Sequence, residues 1–339
     1  MPDKRVKQSD IAKKLNLSLQ TVSMALRRHK RISEATRLRV ERTAKELGYQ
    51  ADPTMAALAN YRTKQARQQS QWDRAALIHD WESKEDWLRY THYQRLRTAL
   101  MHETRQRGIE LQEFWIGSHS KHRTATLRKL RNLGIKSLLL APPSEGPNPT
   151  PIQIPKTDFN VVTFGPDSIY PDRHVIQFDY HENLRLTWRS LWEKGCRRIG
   201  LSYTKNLGWR TNYAWLAAYL VEKQLAGIEP NDLPTLTHED PSDSQSVIAW
   251  AQSQKLDAVI SPLSNILIAL KQAIPNIQIA SMHRNDTEPG VDPNPEHAAF
   301  AALEILQFEM EHALLQKSSY NLRIHVPGQW MDASTSAIK

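Results

Sequence analysis

Between residues 15 and 33 the chain reads LNLSLQTVSMALRRHKRIS. A short turn leads there into a helix carrying small polar side chains. A basic run follows it: Arg27, Arg28, Lys30 and Arg31. A helix of this kind can enter a DNA groove, and the cations would attract phosphates and make binding strongly salt-dependent. Met24 stands in the middle, where a long polar or cationic side chain would be the obvious base reader. Other spacings carry less chemistry. HSKH at 119–122 has metal-like spacing but no partnering ligands nearby, and reads as the surface start of a helix. Cys196 is the only cysteine, which excludes a disulfide framework and a cysteine metal cluster. No glycine-rich phosphate loop precedes a helix in the Walker pattern, and no serine occupies a nucleophile elbow. The sequence predicts no catalytic residue, no metal and no cofactor, and an enzyme is not expected.

Charge agrees with a nucleic-acid partner. Residues 1–71 hold 16 Lys+Arg against 6 Asp+Glu, whereas the whole chain of 339 residues has a net charge of only +9. All the excess positive charge therefore lies in the first fifth, as in a polyanion binder whose basic module is joined to a near-neutral body. No apolar run approaches the roughly 18–20 residues of a membrane span, and the N-terminus lacks the apolar core of a signal peptide. The expected location is the cytoplasm.

The elements that must position these residues fall into three units: 1–50, 51–71 and 72–339. In the first, three helices start at the good N-caps Ser9, Ser18 and Ser33, and the last stops at Gly48. Ile11, Ala12 and Leu15, then Val22, Ala25 and Leu26, then Leu38, Val40, Ala44 and Leu47 are the expected core positions. Two short helices joined by a tight turn and followed by a longer one fit a helix-turn-helix module. In the second unit, Asp52 caps a single short helix through Ala56, Ala57 and Leu58. So short a helix is marginal in water and needs DNA or a partner chain to order it. The third unit alternates strands and helices. Strands are expected at 75–78, 109–116, 135–141, 159–165, 198–204, 257–262, 277–282 and 321–327, and one continuous helix at 211–226. That pattern predicts parallel sheets covered on both faces, in two doubly wound α/β lobes with a ligand cleft at the strand ends.

Together these features resemble the LacI/GalR family of bacterial transcription regulators. The likeness runs from Val6 to about Thr335. It is strongest where VKQSDIAKKLNLSLQTVSMALRRHKRISEATRLRVERTAKELGY matches the family's IA, S-x-x-TVS-x-x-L, S-x-x-T-x-x-x-V and LGY pattern. The body is a looser match, in KGCRRIGLSY and FDYHENLRL. The resemblance implies an all-α helix-turn-helix head on a type I periplasmic-binding-protein-like core. It also implies a homodimer on a near-palindromic double-stranded DNA operator, usually as a repressor, controlled by a small-molecule effector.

Carried over residue by residue, Leu19, Gln20 and Met24 fall on base-facing positions, and Thr21 and Ser23 on phosphate-facing ones. Gln20 suits a bidentate contact with adenine, while hydroxyls and N-terminal helix amides suit phosphates. Ala57 permits close helix approach, and Leu58 falls on the position that wedges into the minor groove. Asp52 departs from the family's asparagine. The cleft departs further. The arginine expected four residues before an aromatic reads as Trp215, the Asn-Asp pair becomes Ser264 and Asn265, and His283 stands near the expected aspartate. Trp81, Tyr203, Trp209, Arg210 and Trp215 lie near strand ends, and aromatic faces suit sugar rings. Such a cleft could bind a sugar, another small molecule or nothing. In the last case the chain would be a ligand-unresponsive DNA-binding protein whose core only dimerises.

Overall fold

A computed structural model describes residues 6–26, 32–49, 73–117, 120–144, 152–155, 158–166, 168–229, 231–284, 288–312 and 321–333. The basic run Arg27, Arg28, Lys30 and Arg31 lies outside the described residues, as do Asp52, Ala56, Ala57 and Leu58. The chain divides into two compact units, Met1–Trp72 and Asp73–Lys339.

The described residues of the head form three helices: α1 (Gln8–Leu15), α2 (Leu19–Leu26) and α3 (Glu34–Glu46). Local chemistry sets their ends. The Asp10 carboxylate accepts the Lys7 N–H, so α1 begins one residue before the expected Ser9 cap and is held from its third position. Asn16 takes the left-handed conformation, which turns the chain between α1 and α2. The Ser18 hydroxyl accepts the Thr21 N–H and caps α2. Ser33 does the same for α3 through the Thr36 N–H. Ile11, Val22, Ala25 and Val40 are fully buried, with Ala12 and Ala44 beside them and Leu15, Leu17, Leu26 and Leu47 half-buried around them. Leu38 is not part of this core, contrary to its expected role. It sits two residues before Val40, on the opposite face of α3, and is 52% exposed, while Thr43 fills the inward position.

The body is two parallel-sheet lobes. Lobe 1 holds β1 (Asp73–His79), β2 (Ile109–Trp115), β3 (Ser137–Leu140), β4 (Asn160–Phe164), β5 (His174–Phe178) and β11 (Arg323–Val326), in the order β11-β5-β4-β3-β1-β2. Lobe 2 holds β6 (Ile199–Thr204), β7 (Leu236–His238), β8 (Ala258–Ser261), β9 (Gln278–Ser281), β10 (Gly290–Asp292) and β12 (Gln329–Met331), in the order β12-β10-β9-β8-β6-β7. The pairing in both is parallel, except where β12 runs antiparallel to β10. The central strands are buried along their length, as parallel strands covered on both faces must be.

The covering helices are α4 (Thr91–Gln106), α5 (Ser120–Asn132), α6 (Tyr180–Glu193), α7 (Lys205–Arg210), α8 (Ala214–Leu225), α9 (Ser244–Ser253), α10 (Ser264–Ala273) and α11 (Pro295–His312). The expected continuous helix at 211–226 is in fact two. Asn212 and Tyr213 both have positive φ, which ends α7 and restarts the chain as α8. The chain passes between lobes after β5, after β10 and between β11 and β12. At the last passage the Asn183 carboxamide oxygen accepts the Gly328 N–H at 2.8 Å. At the second, Arg95 of α4 binds both Asp292 and Glu296.

Gly290 is where β10 lies tightest against β9. A Cβ there would collide with the Ser281 carbonyl and amide. Gly290→Ala is expected to lower lobe 2 stability by about 1–3 kcal/mol, the usual overpacking cost. Thermal unfolding of the variant reads this directly.

Candidate functional site

On α2 the buried residues Val22 and Ala25 occupy one face. The opposite face presents Gln20, and Leu19 stands at its edge, 55% exposed, with Ser23 and Met24 half-buried between and beside them. An apolar side chain held out in water at a helix start has no packing reason to be there. It leaves a leucine, an amide and a thioether on one accessible strip. The Thr21 hydroxyl is engaged with the Ser18 hydroxyl at 2.8 Å, so in the free head it serves the cap.

The body carries a cavity of about 410 Å³ between its lobes. Its walls come from the carboxyl ends of strands. Arg89, Tyr90, His92 and Tyr93 enter from lobe 1, and Tyr180 stands at the first crossing. Thr204, Asn206, Leu207, Arg210, Thr211 and Trp215 follow β6. Glu239 and Pro241 follow β7, Pro262 and Leu263 follow β8, and His283 follows β9. This is the crevice where open α/β sheets take ligands.

Rings make up much of the wall. His283 lies 4.6 Å from His92, 5.4 Å from Trp215 and 6.0 Å from Tyr180, to which it is nearly parallel. Burial pushes the His283 imidazole down to about 4, and the Arg210 guanidinium adds to that. Burial likewise holds His92 well below its ordinary value, followed by the effects of His283 and Arg210. Burial raises the Tyr180 phenol. Both imidazoles are therefore neutral at pH 7. Arg210 is buried, donates to the Tyr93 hydroxyl at 3.4 Å and lies 5.5 Å from the Trp81 ring centre.

Residues 8–52 match the family model of bacterial regulatory proteins, lacI family. The head of the chain therefore carries the lacI-family pattern. No curated relative matches it. Solved LacI-type structures share its fold. A transcriptional regulator, CelR, in complex with cellobiose is 15% identical, with a TM-score of 0.60 over 97% of this chain and 99% of that one. The Lac repressor dimer bound to operator and the anti-inducer ONPF is 15% identical, at 0.58 over 97% and 98%. The regulator CcpA of Lactococcus lactis is 10% identical, at 0.55 over 78% and 98%. At such identities the likeness speaks for the fold. The match over residues 8–52 supports a DNA-binding transcription regulator.

Of the residues singled out in the body, Arg210, Trp215 and His283 line the cavity. Trp81 is buried behind it, its indole N–H given to the Pro142 carbonyl at 2.8 Å. Tyr203 is buried within β6, and Trp209 is half-buried on α7, away from the lining. Asn265 is exposed and donates to the carbonyl of Pro241, which is itself a lining residue. Ser264 donates to Glu288. Although Trp215 stands where the arginine was expected, a guanidinium is present, contributed five residues earlier by Arg210. The lobe 1 wall, Arg89 to Tyr93, went unread. Its signal was the density of rings and cations in LRYTHY at a helix start. No membrane-spanning helix occurs among the described residues, nor does any cluster of three metal-ligating side chains.

Proposed function

We propose that this protein binds a near-palindromic operator as a homodimer in the cytoplasm, acts as a repressor and is controlled by a small molecule in the inter-lobe cavity. The observation that carries the reading is that one chain joins a lacI-type head to a body with a cavity walled by both lobes. A ligand there contacts both lobes at once and can favour one arrangement of them over another. The cavity favours this reading over a core that only dimerises. Exposed Leu220, Val221 and Leu225 on α8 support self-association. Leu19, Gln20 and Met24 would read bases. Thr21, Ser23 and the basic run Arg27, Arg28, Lys30 and Arg31 would hold phosphates, and Ala57 and Leu58 would enter the minor groove. Selection of bound DNA from a random pool, followed by footprinting, tests this. Failure to recover any palindromic motif would sink it.

Met24 gives a finer test. A thioether cannot donate hydrogen bonds, but it can pack on a thymine methyl. The operator is expected to have A·T rather than an arginine-read guanine at the matching half-site position. Met24→Arg should move that one base preference by about 1–3 kcal/mol. An unchanged selected motif in the variant refutes the assignment.

A further inference from the structure

We infer that the inter-lobe cavity is built for a flat-faced ligand carrying a carboxylate, rather than for a neutral sugar. This rests on the cavity being the effector site proposed above.

The first ground is charge. Arg210 is 8% exposed, and among the described residues no carboxylate pairs with it. Its contacts are a phenol oxygen and an indole face, which offset only part of the cost of burying a cation. Glu239, the acidic residue of the lining, is exposed and bound to Lys205 at 3.2 Å. The two imidazoles of the wall carry no compensating charge. A guanidinium in this position is a preformed fork for one carboxylate, which would supply the missing charge and accept two parallel N–H bonds.

The second ground is the balance of hydrogen-bonding groups. Trp215 is almost fully buried, and its indole N–H has no acceptor among the described residues. Both ring nitrogens of His283 likewise lack a partner among the described residues. A polyol needs acceptors for its hydroxyl protons, and carboxylates or carboxamides usually supply them. Here the deep wall offers the Arg210 and Trp215 donors against one carboxamide oxygen without a partner among the described residues, that of Asn206, and His283 stands where an aspartate was expected. The charged donor outweighs that single neutral acceptor, so an anionic group answers this wall better than a neutral polyol. The rings of His92, Tyr180, Trp215 and His283 add flat apolar faces of a kind that suits an aromatic or cyclic body.

The test uses the full-length protein and matched pairs: benzoate with benzamide, indole-3-acetate with indole-3-acetamide, and glucuronate with glucose. Calorimetry gives affinity, and operator affinity is measured on the same samples. The expected result is that at least one acid binds, tenfold or more tighter than its neutral partner. Arg210→Gln should abolish that preference. Arg210→Met, which removes the buried charge and keeps most of the stem, should raise the melting temperature of the ligand-free protein. Equal affinity of acid and neutral partner overturns the inference. So does an absence of binding by every acid, or a lowered melting temperature in Arg210→Met. An acid that binds without changing operator affinity keeps the anion site and removes ligand control. A neutral sugar that shifts operator affinity keeps ligand control and removes the anion site.

Discussion

Acidification from pH 7 to pH 4 is expected to cost the body on the order of 3 kcal/mol through His283 alone. The folded protein holds this imidazole down at about 4, from an ordinary value of 6.5. The unfolded chain therefore takes up a proton as pH falls through 6.5, and the folded protein does not. Stability is complete above that point, declines steadily below it and stops declining near pH 4, where the folded form also protonates. His92 acts in the same direction, because burial first, and then the nearby His283 and Arg210, disfavour its charged form. Asp80 acts in the opposite direction, since burial raises its carboxyl. The contribution of His283 is therefore read as a difference. His283→Phe keeps the ring contacts with Tyr180 and Trp215 and removes the titration. Chemical unfolding of both proteins should show the variant gaining on the parent as pH drops from 6.5 to 4. Parallel pH profiles would show that this imidazole is not buried among these rings in solution.

That prediction depends on contacts which the sequence did not reveal, and the pattern of successes explains why. Ser18, Ser33 and Gly48 could be read as helix ends because a cap bonds to a backbone group three residues away. The alternation of strands and helices was legible from period and length. The strands β5, β7, β10 and β12 were not, because they are 3 to 5 residues long and take their identity from neighbours distant in sequence. HVIQF at β5 is extended because β4 and β11 flank it. The break at Asn212 and Tyr213 is a backbone event in a sequence otherwise fit for helix. Strand ends correctly indicated where a cavity would lie. Which side chains face it depends on loop paths, so Trp81 turned to a carbonyl in the core while Arg89 and His92 entered from an unread stretch.

Val22→Asp should abolish operator binding without altering the unfolding of the body. Val22 is fully buried on the inner face of α2, against the core that Ile11 and Val40 complete. The described side chains packed around it are apolar, and burial of an unpaired charge or its forced protonation costs about 3–5 kcal/mol. Three short helices bury too little to absorb this, since small domains are only marginally stable. The head should lose its helical signal, and DNA affinity should fall to the salt-dependent, sequence-independent level that a basic unfolded segment retains. Leu19→Ala supplies the contrast. Leu19 is exposed, so its truncation should change head stability by less than about 0.5 kcal/mol. If the outward strip of α2 reads bases, operator affinity should nevertheless fall measurably while binding to random DNA holds. A Leu19→Ala head that keeps full operator affinity would show that the exposed leucine has no part in recognition. A Val22→Asp head that stays helical would show that α2 is not docked through its inner face.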